Sequence, residues 1–211
     1  ALPALVIVTL AIGARTLAGR NALVRKLASA ETLGSTTIIC ADKTGTLTKS
    51  EMTVRQLYAN QQEISVTGVG YEPTGKFQRS DEPVDPGQDD HLQTLLRIGT
   101  LCSNAHYDGQ KIAGDPTEGA LIVAAAKAGM GKRALESQYP RIGEIPFSSE
   151  RKRMTTIHTS PNGERVAYIK GAPEVLLERC THLFVDGQER ELGDDKRSEI
   201  LQVNEQMAAG A

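Results

Sequence analysis

The chain has 211 residues, with 24 Lys and Arg against 26 Asp and Glu and a formal net charge of −2. Hydrophobic residues make up 39% and charged residues 24%, globular proportions that exclude wholesale disorder. The near-neutral balance gives no footprint for nucleic acid, and Cys40, Cys102 and Cys180, far apart and without a Cys-x-x-Cys, argue against a zinc site or disulfide framework and for a reducing compartment.

Residues 1–14, ALPALVIVTLAIGA, are almost wholly apolar and are followed by Arg15, Arg20, Arg25 and Lys26. About 20 apolar residues cross a bilayer, and basic flanks mark its cytoplasmic side. A secretory signal would need a basic start and a small-residue cleavage site, and neither fits. A buried core helix or strand pair is the alternative; the preferred reading is the second half of a membrane helix. The helical pattern continues to about Ala30, with Leu17, Leu23, Val24 and Leu27 apolar, as a stalk would.

Thr36-Thr37-Ile38-Ile39-Cys40 is a short β-branched run that reads as a buried strand. Strands are expected at 53–58 and 62–67, a turn-rich connector from Gly68 to Gly75, and an acidic loop over 80–90. Leu92, Leu95, Leu96 and Leu101 fall near one helical face. Asp115 suits a helix N-cap, with Pro116 in the first turn and Glu118 at the third position of a capping box; that helix stops near Gly129 or Gly131. Strands are expected at 141–147, 153–159 and 164–170, the last two joined by a Pro161-Asn162-Gly163 turn. Pro173 starts a short helix through Leu177, Asp186-Gly187 turns a second hairpin, and 196–208 reads as helix.

The most informative stretch is Asp42-Lys43-Thr44-Gly45-Thr46-Leu47-Thr48. A carboxylate at the C-terminal end of a buried strand sits where open α/β sheets place ligands. There it can attack a phosphoryl group and form an aspartyl phosphate. Gly45 allows close backbone approach, the neighbouring N–H groups and Thr hydroxyls cradle phosphate oxygens, and Lys43 offsets anionic charge. Such a transfer needs Mg²⁺. A capped turn after a strand is the plain alternative.

This stretch matches at every position the phosphorylation motif of the P-type ATPases, which the chain resembles over essentially its whole length. The resemblance is to the type II, calcium-pump-like branch. It implies that Asp42 is phosphorylated by ATP and that Asp42 and Thr44 serve Mg²⁺, with Lys43 and Thr44 in the catalytic motif. Phosphatases of the wider haloacid dehalogenase-like fold usually carry an Asp two residues after the nucleophile as general acid and base. Thr44 stands there instead, so the phosphoenzyme should persist.

Three further stretches resemble the family's nucleotide-binding domain. Gly114-Asp115-Pro116-Thr117-Glu118-Gly119-Ala120-Leu121 implies that Glu118 accepts a hydrogen bond from the adenine amino group, with the capping box as its rival. Phe147-Ser148-Ser149-Glu150-Arg151-Lys152-Arg153-Met154 implies that Phe147 stacks on adenine and Lys152 neighbours the phosphates; the plain alternative is a core Phe beside a solvated basic turn. Lys170-Gly171-Ala172-Pro173-Glu174 implies that Lys170 lines the pocket and Gly171 lets the base approach.

The implied fold is α/β and α+β. Residues 1–32 would form the end of a transmembrane helix and its stalk. Residues 33–57 would open a haloacid dehalogenase-like phosphorylation domain with a parallel sheet. Residues 58–211 would form an inserted nucleotide-binding domain, C-terminally incomplete, built on an antiparallel sheet flanked by helices. The resemblance implies ATP and Mg²⁺, a transported cation (Ca²⁺ first, Na⁺ or K⁺ as alternatives), a lipid bilayer around a multi-pass protein, and a cytoplasmic position from about residue 15 onward. As a fragment, the chain is expected to bind ATP weakly and not to turn over. A soluble phosphatase of the same fold and a non-catalytic nucleotide-binding module are the other readings.

Overall fold

The structure, a computed structural model, describes residues 2–42, 46–49 and 51–210. It divides into two compact units, Ala1–Lys49 and Ser50–Ala211.

In the first unit, α1 spans Leu2–Ala18 and α2 spans Leu27–Gly34. The continuous stalk helix expected through Ala30 is interrupted between them. Asn21 takes a left-handed φ of 63°, its N–H donates to Ala18 O and that of Ala22 donates to Leu17 O. This is a Schellman-type cap, in which a left-handed residue ends the helix by satisfying its last carbonyls. The side chains of Leu2, Leu5, Val6, Ile7, Val8 and Ile12 are exposed. Among the described residues, no helix is long and apolar enough to cross a membrane.

The buried strand expected at Thr36–Cys40 is not formed: from Thr36 to Asp42 the backbone has no regular structure and every residue is exposed. A β-branched run becomes a buried strand only when neighbouring strands satisfy its N–H and C=O groups. Among the described residues of this unit the regular elements with assigned bounds are α1 and α2, which offer no strand edge.

The second unit is antiparallel in all its sheets. Strands β1 (Gln56–Ala59), β2 (Gln62–Val66), β3 (Phe77–Arg79) and β4 (Glu82–Val84) form a four-stranded meander. The β3–β4 hairpin falls partly inside the stretch expected to be an acidic loop. Its turn residues Ser80 and Asp81 both have positive φ, 49° and 68°, as do Asn60 and Gln61 between β1 and β2. Two left-handed residues give the twist that flanking strands require. Pro83 is tolerated because β4 is an edge strand.

Helix α3 (Asp90–Leu101) is the wall shared by two cores. Its Leu92 and Leu96 pack with Leu57, Ile64, Val66 and Phe77 of the meander and with Ala124 and Ala125 of α4 (Pro116–Lys127). Its last residue, Leu101, joins Cys102, Leu135, Met154 and Tyr168 in a second cluster. Leu135 belongs to α5 (Lys132–Gln138), a short helix that the sequence reading passed over. Met154 and Tyr168 come from the second sheet, β7 (Arg141–Ser148), β8 (Arg153–Thr159) and β9 (Arg165–Gly171). A small hairpin, β5 (His106–Tyr107) and β6 (Ile112–Ala113), links α3 to α4.

After β9 come α6 (Pro173–Leu177), the hairpin β10 (His182–Val185) and β11 (Gln188–Glu191), and α7 (Asp194–Ala209). Asp186 and Gly187 make the expected turn with φ 50° and 75°. This is an α/β arrangement of antiparallel sheets flanked by helices. No parallel pairing occurs among the described residues.

Candidate functional site

Local capping fixes the start of α4. Asp115 takes extended backbone angles, and its carboxylate accepts from the N–H groups of Thr117 (2.8 Å) and Glu118 (3.2 Å), as an N-cap does. Pro116 follows at the first helical position, where no N–H is needed. The capping box stays half made. Glu118 does not reach back to Asp115; its Oε2 accepts from the N–H groups of Asn104 (2.7 Å) and Ala105 (2.9 Å), in the loop after α3. Its Oε1 accepts from Lys170 Nζ at 2.6 Å. Burial alone would raise the Glu118 carboxyl; the hydrogen bond and charge of Lys170 and the two N–H groups outweigh it and hold it below the usual range.

Lys170, near the end of β9, also donates to Ser103 Oγ at 3.1 Å. The next residue, Gly171, has a structural reason of its own. A Cβ there would meet Lys152 O at 2.4 Å and Arg153 Cα at 2.8 Å, so the absent side chain makes room first for the chain's own backbone, where β9 ends against the start of β8. Ala172 N closes this approach by donating to Lys152 O at 3.0 Å.

Phe147 is presented by an irregularity. The β7–β8 register shifts between Ile145 and Ser148, and Pro146 in that interval has no N–H to give the ladder. Such bulges re-aim a side chain, and Phe147 stands 60% exposed rather than in the core. The β7–β8 turn is tight: Lys152 has a left-handed φ of 50°, and its N–H donates to Ser148 O at 2.8 Å. Lys152 Nζ lies 4.0 Å from Glu174, both half-exposed, a pair of little energetic weight.

These elements enclose one cleft of about 810 Å³, lined by Asp115, Thr117, Glu118, Leu121, Phe147, Lys152, Lys170, Gly171, Ala172 and Glu174. The size suits a small-molecule ligand. All five residues singled out for nucleotide contact, from three separate stretches, line it. It offers an exposed aromatic face, a fixed carboxylate and two ammonium groups, a set suited to a planar base carrying anionic groups. The sequence reading missed the loop Leu101–Ala105 as the partner of Glu118, and no local pattern marks it.

Asp42 lies in the first unit and is exposed. Lys43, Thr44 and Gly45 lie outside the described residues. Among the described residues no group of three or more His, Cys, Asp or Glu is placed to hold a metal.

The family model described as P-type ATPase, cytoplasmic domain N, matches residues 91–211. A calcium-transporting ATPase of Bacillus subtilis is 39% identical over 214 residues, covering 100% of this chain and 24% of the relative. The cation-transporting ATPase pma1 of Synechocystis is 44% identical over 216 residues, covering 98% and 23%. The calcium-transporting ATPase type 2C member 1 of Bos taurus is 38% identical over 212 residues, covering 99% and 22%. The chain thus spans less than a quarter of the length of each of these relatives.

Proposed function

The chain belongs to the P-type ATPases, and from that premise we propose that it is the ATP-binding and phosphate-accepting part of an ATP-driven cation pump. In this reading residues 1–32 are the end of a membrane helix and its stalk in a multi-pass membrane protein. Residues 33–57 open a haloacid dehalogenase-like phosphorylation domain, and residues 58–211 belong to the nucleotide-binding domain. The observation that carries the proposal is the convergence of Glu118, Phe147, Lys152, Lys170 and Gly171 on one cleft.

The cleft's own residues supply a division of labour. Phe147 offers its ring face to adenine, where stacking contributes about 1–3 kcal/mol per base. Glu118 keeps an acceptor lone pair on Oε1 beyond the bond from Lys170, suited to an amino group. Lys170 holds that carboxylate still, and Lys152 at the cleft's edge meets the phosphates. When the γ-phosphate is brought to Asp42, a carboxylate oxygen attacks phosphorus. The new O–P bond forms as the bond to the β,γ-bridging oxygen breaks, and ADP leaves with that electron pair. Water later attacks the acyl phosphate, releasing phosphate and restoring the carboxylate. With Thr44 where a phosphatase would carry a second Asp, no side chain there activates this water, and the intermediate outlives the domain movements that a pump requires.

Asp42 supplies one exposed hard oxygen ligand. That donor fits Mg²⁺, which binds through one or two carboxylates together with substrate phosphates rather than in an all-protein cage. Asp42 and Thr44 would hold it, and its charge would offset that of the converging anions.

The two calcium-transporting relatives favour Ca²⁺ as the cargo, with Na⁺ and K⁺ as alternatives. The test is phosphoenzyme formation from γ-labelled ATP by the whole pump in membranes, acid-quenched, with Ca²⁺, Na⁺, K⁺ or Mg²⁺ alone. Acid-stable label appearing with one added cation supports the proposal and identifies the cargo; absence of label under every condition, with ATP binding intact, overturns it.

A further inference from the structure

Glu118 and Lys170 are held by a loop, and the loop is held from behind. Residues 101–105 leave the C-terminal end of α3, where backbone carbonyls lack helical partners. Their N–H groups and their carbonyls are satisfied on opposite sides. On the cleft side, the N–H groups of Asn104 and Ala105 converge on Glu118 Oε2, and Ser103 Oγ accepts from Lys170. On the far side, Lys132 Nζ donates to Ser103 O and Ala105 O, both at 2.8 Å. Arg141 donates to Leu101 O at 2.7 Å and to Ser103 O at 3.0 Å. Its other terminal nitrogen donates to Asn104 Oδ1 at 2.6 Å and to Glu144 at 3.0 Å. Neither Lys132 nor Arg141 lines the cleft.

The placement of Lys132 runs against local preference. It is the first residue of α5, where the helix dipole disfavours a cation, and its side chain is only 10% exposed. Burial pushes its ammonium below the ordinary lysine value. The charge of Glu136, 3.7 Å away, and of Glu118 favours the ammonium against that cost, and the two carbonyl acceptors fix where it points.

We propose that Arg141 and Lys132 are positioning residues of the nucleotide cleft, acting through the Leu101–Ala105 loop to fix Glu118 and Lys170. This rests on the reading of the cleft as the nucleotide site. Across the Ser103–Asn104 peptide the cations on Ser103 O and the carboxylate on Asn104 N–H polarise one group in the same sense, so there each grip strengthens the other. Removing the rear grip lets the two amides drift from Glu118. The carboxylate then loses the orientation that serves both Lys170 and the base.

The test is a double-mutant cycle on the 211-residue chain, reading ATP affinity by competition with a fluorescent nucleotide and the amide resonances of Asn104 and Ala105 by NMR. Arg141→Gln should weaken ATP binding about tenfold, the size of coupling usual between residues of one network. It should also move both amide resonances upfield. In a Glu118→Gln background the same change should weaken binding no further, because its effect passes through Glu118. Arg141→Lys, which keeps one donor group, should recover part of the affinity. A fully additive loss in the Glu118→Gln background overturns the proposal, as does unchanged affinity in Arg141→Gln where Glu118→Gln and Lys170→Ala both weaken ATP. Should Arg141→Gln fail to fold, Lys132→Met carries the same cycle. If Glu118→Gln and Lys170→Ala themselves leave ATP affinity unchanged, the nucleotide reading of the cleft falls first, and this inference with it.

Discussion

Asp42 and Glu118 are both carboxylates at the head of a proposed chemistry, and the two units hold them in opposite ways. Asp42 ends a stretch that has no regular structure and no buried residue. Glu118 is largely buried at the start of a helix, with both oxygens engaged by a lysine and two backbone amides. A nucleophile must offer an oxygen to phosphorus, so exposure serves it; a recognition group must keep one orientation, so fixation serves it. The contrast teaches that a strong motif and a well-packed site are separate properties. The seven-residue motif at Asp42 carries the sharpest sequence signal, and the cleft carries the better-determined geometry.

The largest effect expected from breaking this contrast is at Asp42. On the proposed function, Asp42→Asn in the whole protein should abolish phosphoenzyme while leaving ATP affinity unchanged, since only the attacking oxygen is lost. Equal acid-stable labelling of the variant would remove Asp42 from the reaction. Next in size is Lys170→Ala. It removes a charge-assisted bond worth about 1.5–3 kcal/mol and leaves Glu118 uncompensated beside an incoming polyanion. ATP binding to the chain should weaken about 10- to 100-fold, measured by calorimetric titration; an unchanged Kd would separate Lys170 from the site.

Phe147→Ala sharpens the comparison from the other side. Phe147 is 60% exposed, so truncation costs the fold little, within about 0.5 kcal/mol for a surface position. The lost stacking should still weaken ATP about tenfold. A large fall in Tm with unchanged affinity would reassign Phe147 to packing.

What was legible in the sequence was local. Asp115 caps α4, Pro173 starts α6, and the Asn162-Gly163 turn joins β8 to β9 with Gly163 at φ 85°, because each choice is made within about four residues. The β3–β4 hairpin was not legible. Ser80-Asp81 is a weak turn signal, and an acidic stretch reads as loop until Phe77 is seen buried against α3 and α4. The short α5 buries only Leu135, which leaves no helical stripe to read. Thr36–Cys40 failed for the converse reason: its β-branched composition is a true preference, but a strand also needs an edge to pair with. In the cleft, Glu118, Phe147, Lys152, Lys170 and Gly171 were nameable through motifs. The Leu101–Ala105 loop that contacts two of them was not, because it grips Glu118 through backbone N–H groups, which carry no residue identity, and Lys170 through the hydroxyl of a single Ser103.

The smallest expected effect concerns pH. His158 on β8 is fully buried, its Nδ1–H donating to Tyr139 O at 2.8 Å and its Nε2 facing the Thr156 hydroxyl at 2.9 Å. A carbonyl only accepts, so Nδ1 carries the proton and neutral Nε2 accepts from Thr156. Burial pushes the imidazole below its ordinary value, the bond to Tyr139 opposing and the charge of Arg141 assisting. Below about pH 6.5 the unfolded chain therefore takes up a proton that the folded one refuses, and stability falls with pH. Glu118, also held low, adds loss in the same direction in its own, more acidic window, as pH falls below the ordinary carboxylate value and through its depressed folded one. The Tm of the chain should accordingly drop between pH 7 and 5, and His158→Gln should flatten that slope while lowering Tm at pH 7. A slope identical in the two proteins would mean that His158 is protonated as readily folded as unfolded, and that the second core yields at its polar end.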